Sequence, residues 1–211
     1  MSLQTRHLAC TRGERALFSG LDLELETGTA LRILGSNGTG KTSLLRMLCG
    51  LSVPNAGEVL WNDRNISANR EEYNRNLTYL GHAPAIKDDL YAWENVMVAS
   101  TLAGNPIQKN EAYDALDRLG LEQAADLPTR VLSQGQRKRV ALARLQFCGH
   151  TPLWILDEPF VALDQSSAGQ LQATMNRHLD NNGMIIFTTH QEFELNDDRL
   201  LYLDLNQGEA C

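Results

Sequence analysis

Residues 35–42 read G-S-N-G-T-G-K-T, that is Gly35, Ser36, Asn37, Gly38, Thr39, Gly40, Lys41 and Thr42. They fit the pattern G-x-x-x-x-G-K-[ST], in which a glycine-rich turn aims backbone N–H groups at an anion. Ahead of them Leu31, Ile33 and Leu34 form a short apolar strand. Behind them residues 43–49, starting at Ser43, carry a helical pattern that stops at Gly50. Strand, turn and helix in this order are the context the pattern requires. Gly35, Gly38 and Gly40 permit tight turns and close approach, and the helix start adds the positive end of its dipole. Lys41 is placed to reach the β- and γ-phosphates and the Thr42 hydroxyl to ligate Mg²⁺. The plain alternative is a glycine-rich turn with an incidental lysine. At average residue usage a chain of this length carries such a match by chance about once in a hundred, so phosphate binding is the expectation.

With 211 residues, 43% hydrophobic and 21% charged, the chain is expected to form one well-buried α/β domain. No apolar run approaches the roughly 18 to 20 residues that span a bilayer, and residues 1–15 lack the apolar centre of a signal peptide. A cytosolic protein is expected. The net charge of -7 argues against broad binding to nucleic acid or anionic lipid, so any membrane contact should run through a protein partner. Cys10, Cys49, Cys148 and Cys211 show no metal-ligand spacing and read as small buried hydrophobes, Cys211 being a terminal exception.

Residues 21–26, L-D-L-E-L-E, alternate strictly, as in a half-buried antiparallel strand, and 58–61 read as a strand entering a turn. The first third is thus a β-rich layer around the phosphate loop. Short apolar runs at 30–34, 153–156, 184–188 and 200–205, separated by helical stretches, predict a parallel central sheet. Between about 84 and 132 the spacing turns helical, at 93–102 and 110–119, and predicts a helical insertion in which Ala112, Leu116 and Leu119 pack a core. No internal repeat or coiled-coil heptad is present.

Residues 153–158, L-W-I-L-D-E, form an apolar strand ending in two carboxylates, where α/β folds place ligands. Asp157 is suited to hold Mg²⁺ and Glu158 to orient and deprotonate the water that attacks the γ-phosphate. Residues 132–136, L-S-Q-G-Q, contain an S-x-x-Q capping box, Ser133 with Gln136, for a helix reaching about residue 147. Arg137, Lys138 and Arg139 crowd its first turns, against the helix dipole, which suggests that this end faces an anion.

L-S-Q-G-Q resembles the L-S-G-G-Q signature of ABC-type ATPases, and G-S-N-G-T-G-K-T, I-L-D-E-P and F-T-T-H-Q fall in that family's order. The resemblance covers nearly the whole chain. It implies a P-loop NTPase of the ABC ATPase class, with a parallel core sheet, an N-terminal antiparallel β layer and a helical subdomain at about 84–150, all within one domain, 1–211. It implies ATP and Mg²⁺ as ligands and a head-to-tail dimer with a second copy. In that dimer Ser133, Gln134, Gly135 and Gln136 cover the γ-phosphate in trans, Asp164 belongs to the interface loop, and His190 contacts the γ-phosphate. Three positions depart from the family pattern. Gln134 replaces a glycine, His82 stands where a glutamine is usual, and residues 9–17 lack the adenine-stacking aromatic, Arg12 falling nearest its place. Imidazole accepts or donates one hydrogen bond, so His82 could sense Mg²⁺ or the attacking water in the glutamine's stead.

The stretches L-F-S-G-L-D-L-E-L, G-E-V-L-W, L-G-H-A-P-A-I-K-D-D-L and L-D-E-P-F-V-A-L-D are most similar to the ATP-binding subunits of the bacterial haem export system of cytochrome c maturation. That resemblance implies a peripheral ATPase at the cytoplasmic face of the inner membrane, docked on integral membrane subunits, with residues 83–96 as the candidate docking surface. Two alternatives are the ATPase subunit of another small ABC transporter and a soluble ABC ATPase acting on nucleic acid or ribosomes. The second is disfavoured by the single motif set and the acidic balance, and a simple kinase leaves the signature and His190 without a role.

Overall fold

The computed structural model describes residues 1–190, 197–206 and 209–210. Along the chain lie strands β1 (Ser2–Arg12), β2 (Arg15–Glu26) and β3 (Ala30–Leu34), helix α1 (Lys41–Leu48), and strands β4 (Ala56–Trp61) and β5 (Arg64–Asn65). Helix α2 (Arg70–Arg75), strand β6 (Leu77–Leu80) and helices α3 (Ala92–Leu102), α4 (Lys109–Asp117) and α5 (Gln134–Ala143) follow. The chain continues with β7 (Leu153–Leu156), α6 (Gln165–Asp180), β8 (Met184–Thr188), β9 (Leu200–Asp204) and β10 (Glu209–Ala210). It divides into two compact units, Met1–Tyr79 with Thr151–Glu158 and His178–Cys211, and Leu80–His150 with Pro159–Arg177.

In the first unit the strict alternation of β2 buries Leu21, Leu23 and Leu25 and leaves Asp22, Glu24 and Glu26 in solvent. β2 pairs antiparallel with β1, and β1 with β4, giving a four-stranded sheet in the order β2-β1-β4-β5. The second sheet runs β10-β9-β3-β8-β7-β6. Its β3, β8 and β7 are parallel neighbours, as the near-continuous apolar runs predict. Leu31, Ile33, Leu153, Ile155, Met184 and Ile186 from these strands share one core with Leu44, Leu45 and Leu48 of α1. Each side chain so buried contributes about 1.5–3 kcal/mol, and together they fix α1 against the strand that feeds it. The register pairs Ile33 with Thr188 and Leu156 with Phe187. The segments that leave β3, β7 and β8 therefore emerge side by side.

In the second unit Ala112, Leu116 and Leu119 are buried as their helical spacing predicts. The turn before α3 is held by Asn95, whose Oδ1 accepts from the Lys87 N–H at 2.7 Å and whose Nδ2 donates to the Lys87 and Tyr91 carbonyls at 3.1 Å. Trp93 stacks between Tyr91 and Tyr113, with the Lys109 ammonium 4.3 Å from its ring centre. Two helix boundaries differ from the sequence reading. α1 begins at Lys41, inside the phosphate motif, and α5 is α-helical only to Ala143, continuing as a 3₁₀ turn through Arg144–Phe147. The short α2 was not foreseen, since its polar sequence R-E-E-Y-N-R has one buried residue, Tyr73. Cys10, Cys49 and Cys148 are buried, and Cys211 lies outside the described residues.

One buried ionisable group gives the first unit a pH dependence. His178 stacks on Trp154 at 3.9 Å with 10° between planes, and its Nε2–H donates to the Pro152 carbonyl at 3.2 Å. Burial pushes its pKa down to about 4. The unfolded chain therefore binds the extra proton first. The stabilisation is complete above about pH 6.5 and is lost as pH falls towards 4, a loss of about 3 kcal/mol. The melting temperature should drop more steeply between pH 6.5 and 4.5 for the native chain than for His178→Phe; parallel curves would exclude this source.

Candidate nucleotide site

Gly40 is the residue before α1, and its backbone is left-handed at φ 107°. A side chain there would be strained, and its Cβ would lie 3.1 Å from that of Leu17. The motif's last glycine is thus demanded by the turn that starts the helix. Ser36, Asn37 and Gly38 form the exposed tip of the loop. Ser36 is tied back by its N–H and hydroxyl to Oδ1 of Asn206, at 3.2 and 3.1 Å, and the Thr39 hydroxyl donates to the Ser36 carbonyl at 3.0 Å. Behind the loop Ser43 hydrogen-bonds the thiol of Cys10, whose pKa is raised by burial.

The Lys41 ammonium donates to the carbonyls of Gly35 at 2.6 Å and Ser36 at 3.1 Å, and lies 3.5 Å from His190 Nε2. That nitrogen is also 3.4 Å from Glu158 Oε1. A neutral imidazole nitrogen either accepts or donates, so Nε2 serves Lys41 in one tautomer and Glu158 in the other. The other Glu158 oxygen, Oε2, is buried and has no hydrogen-bond partner among the described residues. A buried carboxylate oxygen left unpaired is costly, and such exceptions occur at strained, catalytic or ligand-binding positions.

Asp157 is 2% exposed. Its Oδ2 accepts from the Thr42 hydroxyl at 3.0 Å and its Oδ1 from the Thr188 hydroxyl at 2.8 Å. Both carboxylates lie past the end of β7 rather than on it, and Glu158 has a left-handed backbone, φ 49°, directly before Pro159. The turn, more than strand alternation, sends the two side chains to different surroundings. Thr188 is the site residue that the sequence reading passed over. The available signal was a hydroxyl ending an otherwise apolar run, because a fully buried hydroxyl requires partners. Asn206 had no such signal.

In the second unit, the Ser133 hydroxyl accepts from the Gln136 N–H at 3.3 Å and Gln136 Oε1 accepts from the Ser133 N–H at 2.9 Å, the capping box expected. Ser133 and Gln134 are exposed. The two arginines behind them have partners within the unit. Arg137 pairs with Asp88 at 2.6 Å and donates to the Thr129 carbonyl at 2.9 Å. Lys138 is 5% exposed, and Arg139 donates to the Leu119 carbonyl at 3.0 Å. Carbonyls and a carboxylate of the same unit thus take up the two arginines, a partnering that the local pattern could not reveal. Asp164 is exposed and caps α6, its Oδ1 accepting from the Ser167 N–H at 2.8 Å, a bond that holds its carboxyl below the usual range. His82 is exposed, as is Arg12 at the end of β1. Gln191 of F-T-T-H-Q lies outside the described residues.

These groups define a nucleotide-triphosphate ATPase of the P-loop type, and the comparisons agree. Residues 18–161 match the family model described as ABC transporter. The chain belongs to that family, as an ATP-binding protein and ATPase. It is 51% identical over 190 residues to the cytochrome c biogenesis ATP-binding export protein of Aromatoleum aromaticum, covering 90% of this chain and 89% of that protein. The protein of the same description from Escherichia coli is 44% identical, covering 99% of each. Among solved structures, a putative ABC transporter ATP-binding protein from Pyrococcus furiosus superposes with a TM-score of 0.83 at 23% identity, covering 98% of both chains. A dimeric ATP-binding cassette in a post-hydrolysis state with ADP and Pi superposes with a TM-score of 0.79 at 20% identity, covering 99% of this chain and 96% of that one. Among the described residues no helix is long and apolar enough to cross a membrane.

A Cβ added to Gly135 would lie 2.7 Å from the Ala162 carbonyl oxygen. Gly135→Ala should therefore destabilise the chain by about 1–3 kcal/mol, read as a lower urea midpoint. An unchanged midpoint would show that the loop at Ala162 yields freely.

Proposed function

We propose that two copies of this chain sandwich ATP head to tail and that hydrolysis drives haem export or delivery in cytochrome c maturation. Residues 35–43 of one copy hold the triphosphate, while Ser133, Gln134, Gly135 and Gln136 of the other cover it. Asp164 lies in the loop between the copies. Residues 1–211 act as one ABC ATPase domain, with 84–150 as its helical subdomain. The export assignment is supported by the description of relatives that are 44–51% identical. The hydrolytic assignment is carried by one observation, the buried Oε2 of Glu158, which has no hydrogen-bond partner among the described residues.

Hydrolysis of a phosphoanhydride requires charge neutralisation, alignment and a proton acceptor. Lys41 exchanges its loop carbonyls for β/γ-phosphate oxygens. Glu158 accepts hydrogen bonds from the attacking water and then its proton, and His190 donates to the γ-phosphate. The hydroxyl of Thr42 and the carboxylate of Asp157, 3.0 Å apart, form the hard oxygen pair that suits Mg²⁺, and these two residues would hold it. Bound there, Mg²⁺ supplies neutralisation of phosphate charge. Because each copy lacks the other's signature residues, the isolated chain turns over slowly.

Glu158→Gln should accumulate an ATP-bound dimer and lose at least about a hundredfold in turnover; a fast, monomeric variant would remove Glu158 from this role. In the cell the chain would sit peripherally at the cytoplasmic face of the bacterial inner membrane, with residues 83–96 against integral membrane subunits and His82 sensing Mg²⁺ or the attacking water. Purification from native membranes should bring those subunits along, and in that complex His82→Ala should slow ATP turnover. Recovery with ribosomes or nucleic acid instead would overturn the assignment.

A further inference from the structure

We infer that Thr188 is a positioning residue for hydrolysis, its single hydroxyl fixing Asp157 and Glu158 relative to each other. The inference rests on the roles proposed above for those two carboxylates. Four apolar residues precede Thr188 in β8, and all five are buried, Thr188 at 0% exposure. Its Oγ1 donates to Asp157 Oδ1 at 2.8 Å and accepts from the backbone N–H of Glu158 at 2.9 Å. A hydroxyl has one proton, so once that proton is committed to the carboxylate, only its lone pairs remain for the amide. Both ends of the bond are thereby assigned without ambiguity.

The consequences run in two directions. Towards Asp157, the bond engages Oδ1, while Oδ2 accepts from the Thr42 hydroxyl. Towards Glu158, it holds the amide of a residue whose φ of 49° is rarely adopted by non-glycine residues and which precedes a proline. Such conformations persist only where neighbouring groups over-determine them. Released from Thr188, Glu158 could return to extended backbone, and its Oε2, unpartnered among the described residues, would leave the place where the attacking water is met. Pairing of Ile33 with Thr188 and of Leu156 with Phe187 puts the hydroxyl within reach of both neighbours.

The full chain carrying Thr188→Val, nearly the same shape without the hydroxyl, and Thr188→Ser, which restores it, separates positioning from packing. The valine variant should lose about tenfold or more in kcat while binding a fluorescent ATP analogue with the native Kd. The serine variant should regain most of that kcat. Native kcat in Thr188→Val, or equal loss in both variants, would overturn the inference, as would a parallel loss of kcat and nucleotide affinity. Thr188→Ala reads the same quantities if valine is not tolerated. Glu158→Gln is assayed beside them. If it keeps its turnover, the roles assumed for the carboxylates fall and the inference with them; if it alone is impaired, only the role of Thr188 falls.

Discussion

Parallel pairing of β3, β8 and β7 is the constraint on which the rest of the site depends. With Ile33 opposite Thr188 and Leu156 opposite Phe187, three chain segments leave the sheet at one level. The phosphate loop leaves β3, the two carboxylates leave β7, and His190 follows β8. A slip of one residue in any of these ladders would turn its side chains to the opposite face and break the hydroxyl–carboxylate contacts. The apolar core beneath, with α1 pressed on the strands by Leu44, Leu45 and Leu48, makes such a slip expensive. Precision of about an ångström among polar groups is thus maintained by side chains that take no part in the chemistry.

Much of this was legible in the sequence because the physical signals are local. Strict alternation in β2, apolar runs in β3, β7 and β8, and the serine–glutamine capping box each involve residues a few positions apart, and each appears as expected. The phosphate motif and the two carboxylates were legible for the same reason. What was hidden depends on contacts between distant segments. The hydroxyl of Thr188 meets residues about thirty positions away, and Ser36 meets Asn206 across 170. No periodicity reports such pairings.

The signature helix shows how a sound local argument can reach a different end. Three cations in the first turns of a helix oppose its dipole, and an outside anion would relieve them. Here Asp88 and two backbone carbonyls take that role for the arginines, and Lys138 is drawn into the interior. The exposed start of the helix, Ser133 and Gln134, is left with its own polar groups and the dipole. Buried partnering and solvent exposure are thus divided between adjacent residues of one short stretch.

The close approach of Gly135 to the Ala162 carbonyl sets the first turn of α5 against a loop distant in the chain. With no side chain on Gly135 to hold them apart, the start of α5 and the segment entering Asp164 approach more closely than any other residue at 135 would allow. A displacement of either segment therefore has little room before it meets the other.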